Sequence, residues 1–140
     1  MTKKEEIAWL AGIFDGEGHL GIHCKKTSKY GARKCQITNS NLGIINETAR
    51  ILDKLDIFYI IAKQPKTHLS RKQCYVIRID RVREILKFIG FVYPYLKSTD
   101  KQHRVIQIKE QLENHTRTSD GRRLNFRRKP GQLMLIKGVE

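Results

Sequence analysis

Two stretches near the N-terminus alternate between apolar and polar residues. Residues 19–27, HLGIHCKKT, place Leu20, Ile22 and Cys24 on one side and His19, Gly21, His23, Lys25 and Thr27 on the other. Residues 32–39, ARKCQITN, do the same with Cys35 and Ile37 against Lys34, Gln36 and Thr38. A period of two predicts strands with one buried and one polar face. The intervening SKYG is turn chemistry, so the pair reads as a hairpin. A sheet that is apolar on one side must bury that side under another layer.

The chain supplies helices for that purpose. Thr2 is placed to cap a helix over 3–15, with Glu5 and Glu6 in its favourable first turn. Asn41 is placed to cap a second, over 42–55, with Leu42, Ile45, Ala49 and Leu52 on one face. Residues 56–63 and 72–79 are rich in β-branched and aromatic side chains and predict a second hairpin around 64–71. A helix follows over 80–90, capped by Asp80 and stopped by Gly90. Pro94 then opens a long helix over 94–113. The order α-β-β-α-β-β-α-α predicts an α+β domain over 1–114 with a four-stranded antiparallel sheet. Residues 115–140 form a basic C-terminal tail with seven Lys or Arg against two acids. Its LMLI at 133–136 reads as a short docked strand or helix, and the rest as a solvated tail or as an arm on phosphates.

The 28 Lys and Arg outnumber 14 acids, for a net charge of +14. Such a surface selects polyanions as partners, DNA, RNA or acidic membrane. The longest apolar run falls far short of the ~20 residues of a membrane span, and the N-terminus lacks a secretory pattern. The three cysteines, Cys24, Cys35 and Cys74, form no CxxC pair. The expected location is a reducing intracellular compartment: cytoplasm, or an organelle matrix or stroma.

The stretch WLAGIFDGEGHL, residues 9–20, is the one place where local rules conflict. Asp15 and Glu17 sit at the C-terminal end of the first helix, where the helix dipole disfavours carboxylates. Ala8, Gly12 and Gly16 recur every four residues, with Ala11 and Asp15 beside them. Small residues at that spacing let two helix backbones approach, so these five are the expected dimer interface, on a two-fold axis. Two Glu17 carboxylates then meet and can hold Mg²⁺ or Mn²⁺, with the Gly16 carbonyl as a further oxygen ligand. Such ions activate water and stabilise the leaving oxygen of a phosphodiester. The plainer reading is a glycine-rich helix stop with two solvated acids. The outward faces of the two hairpins, carrying His19, His23, Lys25, Thr27, Lys34, Gln36, Thr38, Lys63, Gln73 and Tyr75, are the expected DNA-binding surface. Tyr59 and Tyr75 either stack on bases or cover the sheet. A zinc site of His19, His23, Cys24 and Cys35 is disfavoured, because alternation puts the histidines and cysteines on opposite faces.

LAGIFDGEG, residues 10–18, resembles the LAGLIDADG motif of homing endonucleases. The αββαββα order over residues 3–113 is similar to that family's core. A single motif implies the homodimeric type. The resemblance implies a sequence-specific, Mg²⁺-dependent double-strand DNA endonuclease, intron-encoded, cutting a long pseudo-palindromic site. It implies no small-molecule cofactor. Glu17 matches the metal-binding carboxylate, and Asn39, in QITNSN, matches a polar residue that reaches active-site water. YPYLKSTDKQ, residues 93–102, resembles the segment that bears the family's active-site lysine. Thr99 aligns with that lysine, between Lys97 and Lys101, and Lys97 is the expected substitute. A family arginine falls on Gly43. An intron-RNA splicing maturase and a non-catalytic DNA-binding protein on the same scaffold are the alternatives.

Overall fold

The computed structural model describes residues 1–23, 32–66, 72–114 and 134–135. Helix α1, Lys3–Glu17, starts on a capping box: the Thr2 hydroxyl accepts the Glu5 N–H, and the Glu5 carboxylate accepts the Thr2 N–H. Strands β1, Gly18–His23, and β2, Ala32–Asn39, follow. Helix α2, Leu42–Lys54, begins where the Asn41 side chain accepts the N–H groups of Gly43 and Ile44. Strands β3, Ile60–Lys63, and β4, Tyr75–Arg78, lead into α3, Val82–Val92. A 3₁₀ turn, Tyr93–Tyr95, separates α3 from α4, Thr99–Asn114.

The sheet order is β1-β2-β4-β3-β5. The first four strands pair antiparallel, as expected. A fifth, β5, Met134–Leu135, adds parallel to β3. The expected four-stranded sheet is therefore five-stranded, and part of LMLI is the added edge. Helices α1 and α2 pack on one face, over Leu20, Cys35, Ile37, Ile61 and Ile77. Burial raises the Cys35 thiol well above the usual cysteine range.

Three boundaries differ from expectation. The second hairpin is shorter, because Asp56 turns into the left-handed region (φ 61°) after α2 and the Glu84 carboxylate takes the Phe58 N–H. Helix α3 is not capped by Asp80; its N-cap is Arg81, and the Asp80 carboxylate lies 3.9 Å from Arg78 Nε. Nor does Gly90 stop α3. Buried Ile89 and Val92 carry the helix past it, and the break comes at Pro94, which lacks an N–H. Extended, buried Leu96 then delays α4 to Thr99. Ser98 starts that helix, its hydroxyl accepting the Lys101 N–H at 3.3 Å.

Tyr59 does not stack on bases. It is 1% exposed, and its hydroxyl donates to the Asp53 carboxylate at 3.1 Å. Burial, with Asp53 beside it, pushes the phenol well above its ordinary range.

Candidate nuclease centre and nucleic-acid interface

The conflict at the end of α1 is resolved by α4. The Asp15 carboxylate accepts the main-chain N–H groups of Lys97 at 2.8 Å and Ser98 at 3.3 Å. These N–H groups lead into the positive N-terminal end of α4, so a carboxylate that is badly placed for α1 is well placed for α4. Lys101 completes the junction. Its ammonium donates to the Asp15 carbonyl at 2.7 Å and lies 5.9 Å from the Phe14 ring centroid. A cation thus sits on the carbonyls that α1 leaves unpaired at its end.

Glu17, the last residue of α1, remains exposed beside exposed Gly16. Gly18, next in the chain, has no room for a side chain: a Cβ there would lie 2.1 Å from Phe14 Cδ2. Phe14 is fully buried and meets Phe88 edge-on at 5.1 Å. The helix end is thereby fixed from below by aromatic packing and from the side by α4. Among the described residues, no three His, Cys, Asp or Glu side chains could together hold a metal ion. One carboxylate suits a hard cation whose other oxygen ligands come from water, phosphate or a second copy of the chain.

The other expected catalytic residues are placed differently. The Asn39 Oδ1 accepts the Asn41 N–H at 2.8 Å, in a turn that sets up the α2 cap, so its amide NH₂ is the end left for water. Lys97 engages Asp15 through its main chain, and its exposed side chain is not the one against the acidic corner. Lys101 is. Sequence alignment alone favoured Lys97, because the α4 start was expected at Pro94; the later start at Thr99 brings Lys101 inward. Thr99 is exposed at the head of α4, and Gly43 is exposed in the first turn of α2.

The expected dimer face divides. Ala8, Gly12 and Gly16 are exposed, and a Cβ on either glycine would meet no atom within 4 Å. Ala11 is a correction: it is fully buried in the core of its own chain, one helical step around from the small-residue stripe. Asp15 is another, since its carboxylate is engaged by its own α4.

On the sheet, register decides which side chains share a face, because directly paired residues point the same way. His19 pairs with Gln36, Gln36 with Arg78, and Arg78 with Ile60. Thr38 pairs with Val76, and Val76 with Ala62. These residues, with Lys34, form the face opposite α1 and α2. His19 and Lys34 are exposed, and Gln36 and Thr38 half-exposed. The His19 ring sits close over Gly21, whose added Cβ would meet Nε2 at 3.5 Å. Lys63 and Tyr75 pair with each other and share the parity of core residues Ile61 and Ile77. They lie on the helix side, not with His19 and Gln36. Gln73 lies outside the strands, and its amide donates to the Gln64 and Cys74 carbonyls at 2.7 and 2.9 Å. The residue missed by sequence is Arg78. His23 belongs to this parity by its backbone register. Lys25 and Thr27 lie outside the described residues.

A model of the LAGLIDADG-like domain matches residues 4–93. The chain belongs to that family. Among solved structures, the homing endonuclease I-CvuI in complex with its target is similar in fold, with a TM-score of 0.61 at 14% identity over 79% of this chain and 68% of that one. The group I intron-encoded homing endonuclease I-CeuI, complexed with DNA, is 28% identical over 79% of this chain and 55% of that one, also with a TM-score of 0.61. I-CvuI is also similar when bound to the I-CreI target with Mg, at 13% identity. No curated protein sequence matches significantly. The LAGLIDADG-like match ends at residue 93, so the partners of Asp15 on α4 lie beyond it.

Proposed function

We propose that two copies of this chain form a site-specific DNA endonuclease of the homing type, dependent on a divalent metal such as Mg²⁺. The observation that carries this reading is the α1 end. An exposed carboxylate, Glu17, stands at the tip of a solvent-facing stripe of Ala8, Gly12 and Gly16, and its helix end is locked to α4 by Asp15 and Lys101. When two such stripes pack, two Glu17 side chains approach a common axis, and their mutual repulsion calls for a cation between them. Bound there, a divalent metal supplies an activated water and charge neutralisation at the phosphodiester.

The chain's own residues do the rest. Glu17, with the Gly16 carbonyl, provides oxygen ligands. Lys101 holds positive charge beside the acidic corner and keeps α1 in place. Lys97, exposed at the same junction, is within the strongly basic surface that attracts phosphates. The Asn39 NH₂ is available to orient water. The sheet face of His19, Lys34, Gln36, Thr38 and Arg78 enters the major groove, one sheet on either side of the axis.

The test is incubation of the purified protein with Mg²⁺ and a duplex library containing its insertion site. Both strands should be cut. Glu17→Gln should lower cleavage by at least about 10²- to 10³-fold while binding persists; unchanged cutting would remove Glu17 from the metal site. Specific binding of the host intron RNA without any DNA cleavage would instead establish the maturase.

A further inference from the structure

The sheet face is uneven in a way that points to base preference, an inference that rests on the DNA-binding reading above. Its β1–β2 half carries several polar side chains. Its β3–β4 half carries Ile60, Ala62 and Val76, with one charged residue in their midst, Arg78. The Arg78 side chain is 43% exposed. It is not spent within the fold: its Nε is buried without a hydrogen-bond partner, and the nearest acid, Asp80 Oδ2, stands 3.9 Å away. That distance is too long for a hydrogen bond but suits an acid that orients the guanidinium from its Nε side. The two terminal NH₂ groups form the edge that a purine could take.

We propose that Arg78 reads a guanine, once in each half-site. Several observations favour a base over a phosphate. Arg78 occupies a middle row of the sheet, between Gln36 and Ile60, rather than its rim. Its immediate neighbours Val76 and Ile60 are apolar, so the guanidinium is the sole hydrogen-bonding group on that half of the face among the described residues. Guanine presents N7 and O6 side by side in the major groove, the acceptor pair that a guanidinium fork matches; adenine, with one acceptor and one donor there, does not. Apolar Ile60, Ala62 and Val76 fit thymine methyls around that guanine and offer phosphates nothing.

The experiment selects binding sites from a duplex library randomised over both half-sites, using wild type, Arg78→Gln and Arg78→Lys. Calcium replaces Mg²⁺ to separate binding from cleavage, and circular dichroism checks each variant's fold. Wild type should enrich one guanine at symmetric positions in the two half-sites. Both variants should lose that preference and no other, with affinity for the wild-type site lowered roughly 10- to 100-fold. Arg78→Lys keeps the charge but lacks the fork, so it should not restore the guanine. If the variants weaken binding equally to all sequences, Arg78 is a phosphate contact and the proposal is wrong. If wild type enriches many positions but no guanine depends on Arg78, the proposal fails while the DNA-binding reading stands. If wild type enriches nothing, both fall.

Discussion

Asp15 shows how one side chain can belong to two helices. It lies at the end of α1 but serves the start of α4, through the N–H groups of Lys97 and Ser98. Asp15→Ala should cost about 0.5–2 kcal/mol of stability, the usual value of a lost cap, measured by urea unfolding. It should also lower cleavage more than binding, because the Glu17 corner loosens. Glu6 is a second acid with a structural role. It is 5% exposed on α1, with Lys54 Nζ and Arg50 each at 3.0 Å, and Arg50 is also held by Glu47. The Lys54 hydrogen bond, opposed by burial and helped by the nearby positive charges, holds the Glu6 carboxyl below its ordinary value of 4.5. The folded state therefore binds the proton less readily than the unfolded chain. Its contribution to stability is full above that ordinary value and is lost as pH falls through the lowered one. Thermal melts across the acid range should show a shallower acid limb for Glu6→Gln than for wild type; parallel limbs would count against the Lys54 pairing.

At the scale of elements, the turn from α1 into β1 is the least forgiving. A Cβ on Gly18 would sit 2.1 Å from Phe14 Cδ2 and 2.5 Å from the Phe14 carbonyl oxygen. Phe14 is fully buried and cannot move aside. Gly18→Ala should destabilise by about 1–3 kcal/mol, measured by thermal or urea unfolding, whereas Gly16→Ala meets no such obstacle within the chain. The elements themselves were legible in the sequence where one period ran long enough. Strand β2 spans the residues that alternation marked, and Thr2 and Asn41 cap where their side chains suggested. The second hairpin was not readable to the same depth. IIAK and YVIR lack the polar alternation that assigns a face, and a shift of one residue sends every side chain to the other side. That is why Lys63 and Tyr75 were expected on the nucleic-acid face and Arg78 was not. The α4 start was obscured for another reason: Pro94 is a good opening residue, and nothing local reveals that Leu96 is pulled into the core.

For the whole molecule, the open question that geometry makes sharp is the α1 stripe. Within one chain, Gly12 is exposed with open space where a Cβ would be. An alanine there should stabilise the isolated protomer by about 0.5–1 kcal/mol, since glycine weakens a helix interior. If α1 docks on its twin, Gly12→Ala should weaken that association. Sedimentation equilibrium and urea titration on the same variant should thus move in opposite directions, with dimer content down and protomer stability up. A variant in which both rise would place the interface elsewhere. The junction between α1 and α4 has one further consequence, which concerns synthesis. Asp15 is made early, but Lys97, Ser98 and Lys101 come up to 86 residues later in the chain. A growing polypeptide carries the acidic nonamer through most of its translation with that end of α1 still unsupported. The cutting corner is assembled by one of the last contacts to form, so an unfinished chain has the acids of a nuclease without a nuclease's geometry.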